Sequence, residues 1–180
     1  MIGATPAFNI FKTLAMKILV KIYAIIIATV CVTTTVSAQQ TTKQAKAAAK
    51  ATAVKGKIDA QTYTFNAEYA LPMHGGQKYL TSDYDLRITK DSVIAYLPYF
   101  GRVYMTAPVT PEENGIMFTS TKFSYKVAPK KKGGWIITIT PANVKYVAKL
   151  MLDVSPNGSA SLSATSNYRD EITFTGSMKE

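Results

Sequence analysis

Side chains suited to acid–base or nucleophilic chemistry are few in this 180-residue chain: one histidine, one cysteine and three neighbouring pairs of carboxylates. A working imidazole needs an orienting group and a partner that faces the substrate. His74 lies in "LPMHGGQ" with neither nearby in sequence, and reads as a loop histidine. Asp83 and Asp85 flank Tyr84, so in a strand both point to the wet face. Glu112 and Glu113 follow Pro111 in a loop ahead of Asn114-Gly115, and Asp170 and Glu171 are adjacent. Carboxylate pairs that cleave glycosides are held at set separations across a cleft, and none of these pairs announces that arrangement. Cys31 sits in an apolar N-terminal segment, which leaves the rest of the chain without a disulfide, a cysteine zinc site or a thiol nucleophile. Metal-ligand spacing, a glycine-rich phosphate loop and a nucleophile elbow are likewise missing. The expectation is a protein that is not an enzyme, with no catalytic residue, metal or cofactor.

The remaining chemistry is recognition, and it concentrates in "AYLPYFGRVYM", Ala95 to Met105. Four aromatic rings and one arginine surround a proline and a glycine there. Pro98 keeps Leu97 extended and fits a strand end. Gly101, three residues on, predicts a tight corner with positive φ. Ala95–Leu97 and Arg102–Met105 then form two strands, the second with Val103 and Met105 on one face and Arg102 and Tyr104 on the other. Arg102 is expected to stack on Tyr104 or Tyr99, worth about 0.5 to 2 kcal/mol. Two readings stand side by side. In one, aromatics plug a bend, since corners of closed sheets call for glycine and bulges. Alternatively Tyr99, Phe100, Arg102 and Tyr104 form a pocket rim for a planar, sugar-like or anionic ligand. The basic run "PKKKGGW", Pro129 to Trp135, reads as a solvated hairpin tip in which Gly133-Gly134 supplies positive φ.

A period-two beat must position these residues. It runs through Tyr63-Phe65-Ala67-Tyr69-Leu71, Tyr84-Leu86-Ile88, Val93-Ala95-Leu97, Phe123-Tyr125-Val127 and Trp135-Ile137-Ile139. It continues at Tyr146-Ala148-Leu150-Leu152, Ala160-Leu162-Ala164 and Ile172-Phe174. Such alternation marks strands with one buried and one wet face. Turn signals fall between them at Lys90-Asp91, Asn114-Gly115, Gly133-Gly134, Pro156-Asn157-Gly158 and Asn167. The expected fold is mainly β: an antiparallel meander of about eight strands in a small barrel or strongly curved sheet, behind a short N-terminal helix. Residues 39–60 are rich in Ala, Lys, Thr and Gln and predict a fraying helical tether ended by Gly56, with a weak stripe of Ala45, Ala48, Ala49, Thr52 and Ala53. An outer-membrane barrel fits poorly. Most runs span five to eight residues against the roughly 9 to 11 that crossing strands need, and aromatic girdles are lacking.

Residues 1–38 differ in kind. From Met16, Lys17 and Lys21 form a basic start, Ile22 to Val32 an apolar core, and Val36-Ser37-Ala38 a small-residue cleavage site. This is the layout of a secretory signal, with cleavage expected between Ala38 and Gln39. Residues 1–15 read as an upstream extension, and bulky Val30 argues against lipidation at Cys31. The domain organisation is therefore 1–38 leader, 39–60 tether and 61–180 a single β domain. Without Lys12, Lys17 and Lys21 the mature chain keeps 18 basic against 11 acidic residues, 21 − 3 = 18, a net charge of +7. That balance suits anionic envelope surfaces, while export makes nucleic acid an unexpected partner. The expected location is periplasmic or outer-membrane-associated, with no membrane span in the mature chain.

The run Leu97-Pro98-Tyr99-Phe100-Gly101-Arg102, with Pro72, Gly75, Tyr84, Gly158 and Arg169, resembles domain-of-unknown-function family 4251, exported domains of Bacteroidetes. The resemblance covers nearly all of Gln61 to Met178 and implies export and a β-rich fold, without supplying a catalytic residue. The Ala/Lys tract is poorer in apolar residues than the helix the resemblance implies there. Three functions are carried forward: a non-enzymatic β domain binding a small envelope-associated ligand, a structural envelope protein that contacts a partner protein, and an enzyme. An internal cavity reached past Arg102 favours the first, a filled core with an exposed apolar patch the second, and His74 meeting a carboxylate inside a cleft the third.

Overall fold

The computed structural model describes Met16, Lys21 and residues 42–104, 114–144 and 146–179. The rest of residues 1–38, with the expected Ala38/Gln39 boundary and Cys31, and Met105 and the Glu112/Glu113 pair lie outside the described residues. The chain forms two compact units, Met1–Lys46 and Ala47–Glu180. In the first, the described residues are Met16, Lys21 and the start of a helix, α1, that spans 42–60. The second unit holds the rest of α1 and nine strands.

The strands are β1 (Tyr63–Pro72), β2 (Lys78–Ile88), β3 (Val93–Leu97), β4 (Ile116–Ser120), β5 (Phe123–Pro129), β6 (Trp135–Pro141), β7 (Lys149–Val154), β8 (Ser159–Thr165) and β9 (Ile172–Met178). They pair in the order β4-β3-β2-β1-β9-β8-β7-β6-β5, every pair antiparallel. This is a meander wound into a nearly closed barrel. Alternating directions around that order give β4 and β5 the same sense, although only Thr121 and Lys122 separate them. They act as one long bent strand that pairs with β3 in its first half and β6 in its second. Inward side chains fall on even positions in β4 (Ile116, Phe118, Ser120) and on odd positions in β5 (Phe123, Tyr125), so Thr121-Lys122 is a one-residue slip of the pleat.

The interior is filled. Phe65, Leu86, Ile88, Leu97, Ile137, Ile139, Leu150, Leu152, Leu162, Ile172 and Phe174 are all fully buried. A second irregularity, at Ala67/Tyr69 of β1, lets one strand follow the curvature on both of its edges. The hairpin tips follow the turn residues: Gly133 and Gly134 have φ of 86° and 90°, and Lys130 N–H donates to Gly134 O at 3.0 Å.

The helix departs from its expectation. It runs through Gly56 to residue 60, and its buried face is Val54 and Ile58, not the alanine stripe. One β-branched residue per turn suffices because Ile58 is completely enclosed, so the segment from Ala47 is docked rather than a loose tether. Gln61, at φ 51°, stops the helix, with Gln61 N–H on Ile58 O at 3.1 Å and Thr62 N–H on Lys57 O at 3.2 Å. This is the paired capping pattern that usually recruits glycine.

Candidate functional site

The register places residues 73–77, 98–104, 114–115, 142–144, 146–148 and 166–171 at one end of the barrel. The stretch singled out in the sequence, Tyr99 to Tyr104, crosses this end and is clamped to the β8–β9 connection. Val103 bridges Arg169 in antiparallel fashion; Tyr104 N–H donates to Tyr168 O at 2.9 Å, and Asp170 N–H to Arg102 O at 3.0 Å.

Asp170 is the centre of the clamp. It is only 6 % exposed. Its carboxylate accepts from the Tyr104 hydroxyl and from Arg102 N–H at 3.3 Å, and His74 Nδ1 lies 3.6 Å away. The Tyr104 hydrogen bond holds the Asp170 carboxyl below its ordinary range; burial opposes this, and the Arg102 amide and nearby His74 and Arg102 charges assist. The same hydrogen bond is the main reason the Tyr104 phenol is raised. The Tyr99 hydroxyl is shared between Arg102 O (2.9 Å) and Asp170 O (3.0 Å). Burial, then the Asp170 charge, pushes that phenol up to about 12, so it stays a donor throughout the physiological range.

Arg169, 4 % exposed, is the second anchor. Its guanidinium lies 5.0 Å from the Tyr99 ring centroid and 4.8 Å from that of Tyr146, and its Nη1 donates to Gly115 O at 2.9 Å. A planar cation between two rings reaching a carbonyl across the end of the barrel fixes three connections at once.

These contacts correct three expectations. The guanidinium over Tyr99 belongs to Arg169, not Arg102, because the corner folds Tyr99 inward while Arg102 stays exposed. Residues 102–104 are not a regular strand: Val103 makes a single isolated bridge. Gly101 does not have positive φ. It is glycine for space: a Cβ there would collide with the Tyr99 hydroxyl, and would lie 2.6 Å from Tyr99 Cζ and 3.2 Å from Asp170 Cβ.

The four candidate residues therefore divide. Tyr99 is consumed in the clamp. Phe100 and Tyr104 present 40 % and 65 % of their surface, Arg102 is exposed, and Lys78 Nζ sits 5.4 Å over the Phe100 ring. Exposed Leu71, Met73 and Tyr79 come to the same end on the β1–β2 hairpin, where Tyr79 packs edge-on against Tyr69. Elsewhere Asp85 pairs with Arg87 at 3.1 Å, and Glu171 accepts from Ser163. Sequence reasoning missed Asp170, Arg169, Tyr146 and Lys78 as members of the site. Asp170 and Glu171 were legible as a pair, yet a strand start splits them, one inward and one outward.

What the end of the barrel can do follows from this. The space beside Tyr99, Tyr146 and Arg169 is about 10 Å³, at most the room of one water. His74 is mostly exposed and meets a carboxylate already engaged by Tyr104 and Arg102. Among the described residues no group of three or more His, Cys, Asp or Glu could hold a metal. Also among them, no helix is long and apolar enough to cross a membrane. A cavity of about 390 Å³ lies elsewhere, between α1 and the far ends of β8 and β9, with Lys50, Lys57 and Lys179 in its walls.

Fold and site together define a small up-and-down barrel whose interior is packed with buried apolar side chains, with an aromatic, cationic rim. The chain belongs to the family described as domain of unknown function DUF4251, whose profile matches residues 45–178. It is similar in fold to the crystal structure of a DUF4251 family protein from Bacteroides eggerthii. The two share 16 % identity and a TM-score of 0.55 over 75 % of this chain and 90 % of that one. No curated protein matches it.

Proposed function

We propose that this chain is an exported, non-enzymatic domain that works by surface contact with an envelope partner, in the periplasm or at the outer membrane. The observation that carries the reading is the combination of a filled barrel with a rim whose exposed groups are rigidly held. Phe100, Arg102 and Tyr104 project from a loop that Asp170 and Arg169 tie down. Aromatic and arginine side chains fixed in advance lose little entropy on binding and are enriched where contacts carry energy. The basic start and apolar core before Ala38 support export.

A second reading, a small envelope-associated ligand, draws on the groove beside α1. Its 390 Å³ falls within the range of about 300 to 1,000 Å³ typical of ligand sites, and its lysines suit an anion. A thermal-shift screen against envelope glycans, bile acids, fatty acids and peptidoglycan fragments separates the two. Saturation at about 100 times the dissociation constant adds about 2.7 kcal/mol of stability. A shift lost in Lys57→Ala and kept in Arg102→Ala selects the groove. A shift lost in Arg102→Ala puts the ligand at the rim. No shift, with rim-dependent crosslinking to an envelope protein, is the result the first reading expects.

A further inference from the structure

We propose that the outer edge of β5 is a docking edge that accepts an extended acidic segment as an additional strand. The argument starts from the hydrogen-bond phase of the β5–β6 hairpin. Ala142 N–H donates to Lys122 O at 2.8 Å, and Lys130 N–H to Gly134 O at 3.0 Å. In an antiparallel ladder, bonded and non-bonded pairs alternate. Ser124, Lys126 and Ala128 therefore face Thr140, Thr138 and Ile136 with their backbone groups. Phe123, Tyr125 and Val127 turn theirs the other way. β5 has no second neighbour in the sheet, and among the described residues no backbone bond reaches those three. β3, which pairs with the β4 half of the bent strand, begins at Val93 opposite Ser120 and does not extend alongside β5.

The result is a row of three N–H and three C=O groups on an exposed strand, about five residues long. Pro129 closes the row, since it has no N–H. An open row of this kind is a template for strand addition. Charge chooses the occupant. Lys122, Lys126, Lys131 and Lys132 surround the edge, all exposed, and none is in an ion pair among the described residues. A second copy pairing edge to edge would bring both sets of lysines onto one short ladder, where the like charges repel. The chain's own N-terminal region is excluded on the same ground, because residues 1–58 contain no Asp or Glu. The complement is an extended segment of a different protein with alternating acidic side chains. This edge is separate from the Phe100 rim, and its test does not depend on that reading.

The test is amide hydrogen exchange of the full chain, alone and with a capped heptapeptide of alternating Glu and Val, against a Lys/Val peptide of the same length. In the free chain the amides of Phe123, Tyr125 and Val127 exchange fast while those of Ser124, Lys126 and Ala128 are protected. At a concentration about ten times its dissociation constant the Glu/Val peptide slows the first three about tenfold. Val127→Pro removes one edge donor without breaking a bond to β6, and abolishes the effect; Lys126→Glu, which leaves the backbone intact, weakens it and reverses the preference toward the Lys/Val peptide. Protected edge amides in a dimeric free chain would replace the acidic segment with a second copy and overturn the proposal. Absence of protection by the Glu/Val peptide, or equal protection by both peptides, overturns it as well.

Discussion

Gly101→Ala, made alone and together with Tyr99→Ala, distinguishes a steric requirement for glycine from a conformational one. Gly101 is not in the left-handed region, and the added methyl would meet the Tyr99 hydroxyl and ring. Tyr99 must move, and its shared hydrogen bond to Arg102 O and Asp170 O goes with it. Overpacking costs about 1 to 3 kcal/mol and an intramolecular hydrogen bond is worth about 1 kcal/mol, so a loss near 2 kcal/mol is expected. For a domain of this size that lowers Tm by roughly 8 °C. Tyr99→Ala is itself destabilising, but it removes the atoms the methyl would strike. In that background Gly101→Ala should cost less than about 0.5 kcal/mol, a coupling of about 1.5 kcal/mol between the two sites. Urea denaturation of the four proteins of the cycle reads this directly. An undiminished penalty in the Tyr99→Ala background would refute the steric account and return Gly101 to a backbone role.

Other outcomes follow from the same geometry. Ile58→Ala, at a fully enclosed position, should cost about 2 to 5 kcal/mol in denaturant unfolding, whereas a loose tether would show almost no change. Gln61→Gly should raise stability by about 0.5 to 1 kcal/mol, because glycine adopts the positive φ of the helix cap without a Cβ penalty; an unchanged melt would contradict the cap. Asp170 has a folded pKa below its unfolded one, so its stabilisation is present above the ordinary carboxyl range and lost as pH falls through the folded value. Stability measured from pH 7 downward should therefore fall less steeply in Asp170→Asn than in wild type, and parallel curves would remove Asp170 from the clamp.

The barrel was legible because its inward positions are apolar and its turns carry Gly, Asn and Pro. Seven of the eight alternating runs coincide with strands or their main parts, and the eighth, from Tyr146, begins as a connection before β7 starts at Lys149. Two segments escaped for physical reasons. The first half of β2, Lys78 to Asp83, has only Leu80 buried, so it shows no alternation. Ile116–Ser120 packs on one side and pairs with a single neighbour, and its "IMFTS" has no clean beat. The site was half legible. Composition and spacing drew notice to Tyr99, Phe100, Arg102 and Tyr104, but their division into anchor and exposed group depends on Asp170 and Arg169, some 70 residues away in sequence, 170 − 102 = 68. The burial of Ile58 escaped because a two-residue apolar face is invisible against alanines.

The most direct test of the surface-contact account is site-specific photo-crosslinking in living bacterial cells that make the chain. A photoreactive phenylalanine analogue replaces Phe100 or Tyr104 at the rim, and Met151 on the outer face of β7 as a control; all three positions are exposed. The account predicts that the rim probes form one discrete adduct with an envelope component, on chain that has lost residues 1–38, and that the Met151 probe does not. Equal labelling from all three positions, no rim adduct, or adducts confined to chain that keeps its leader would contradict it.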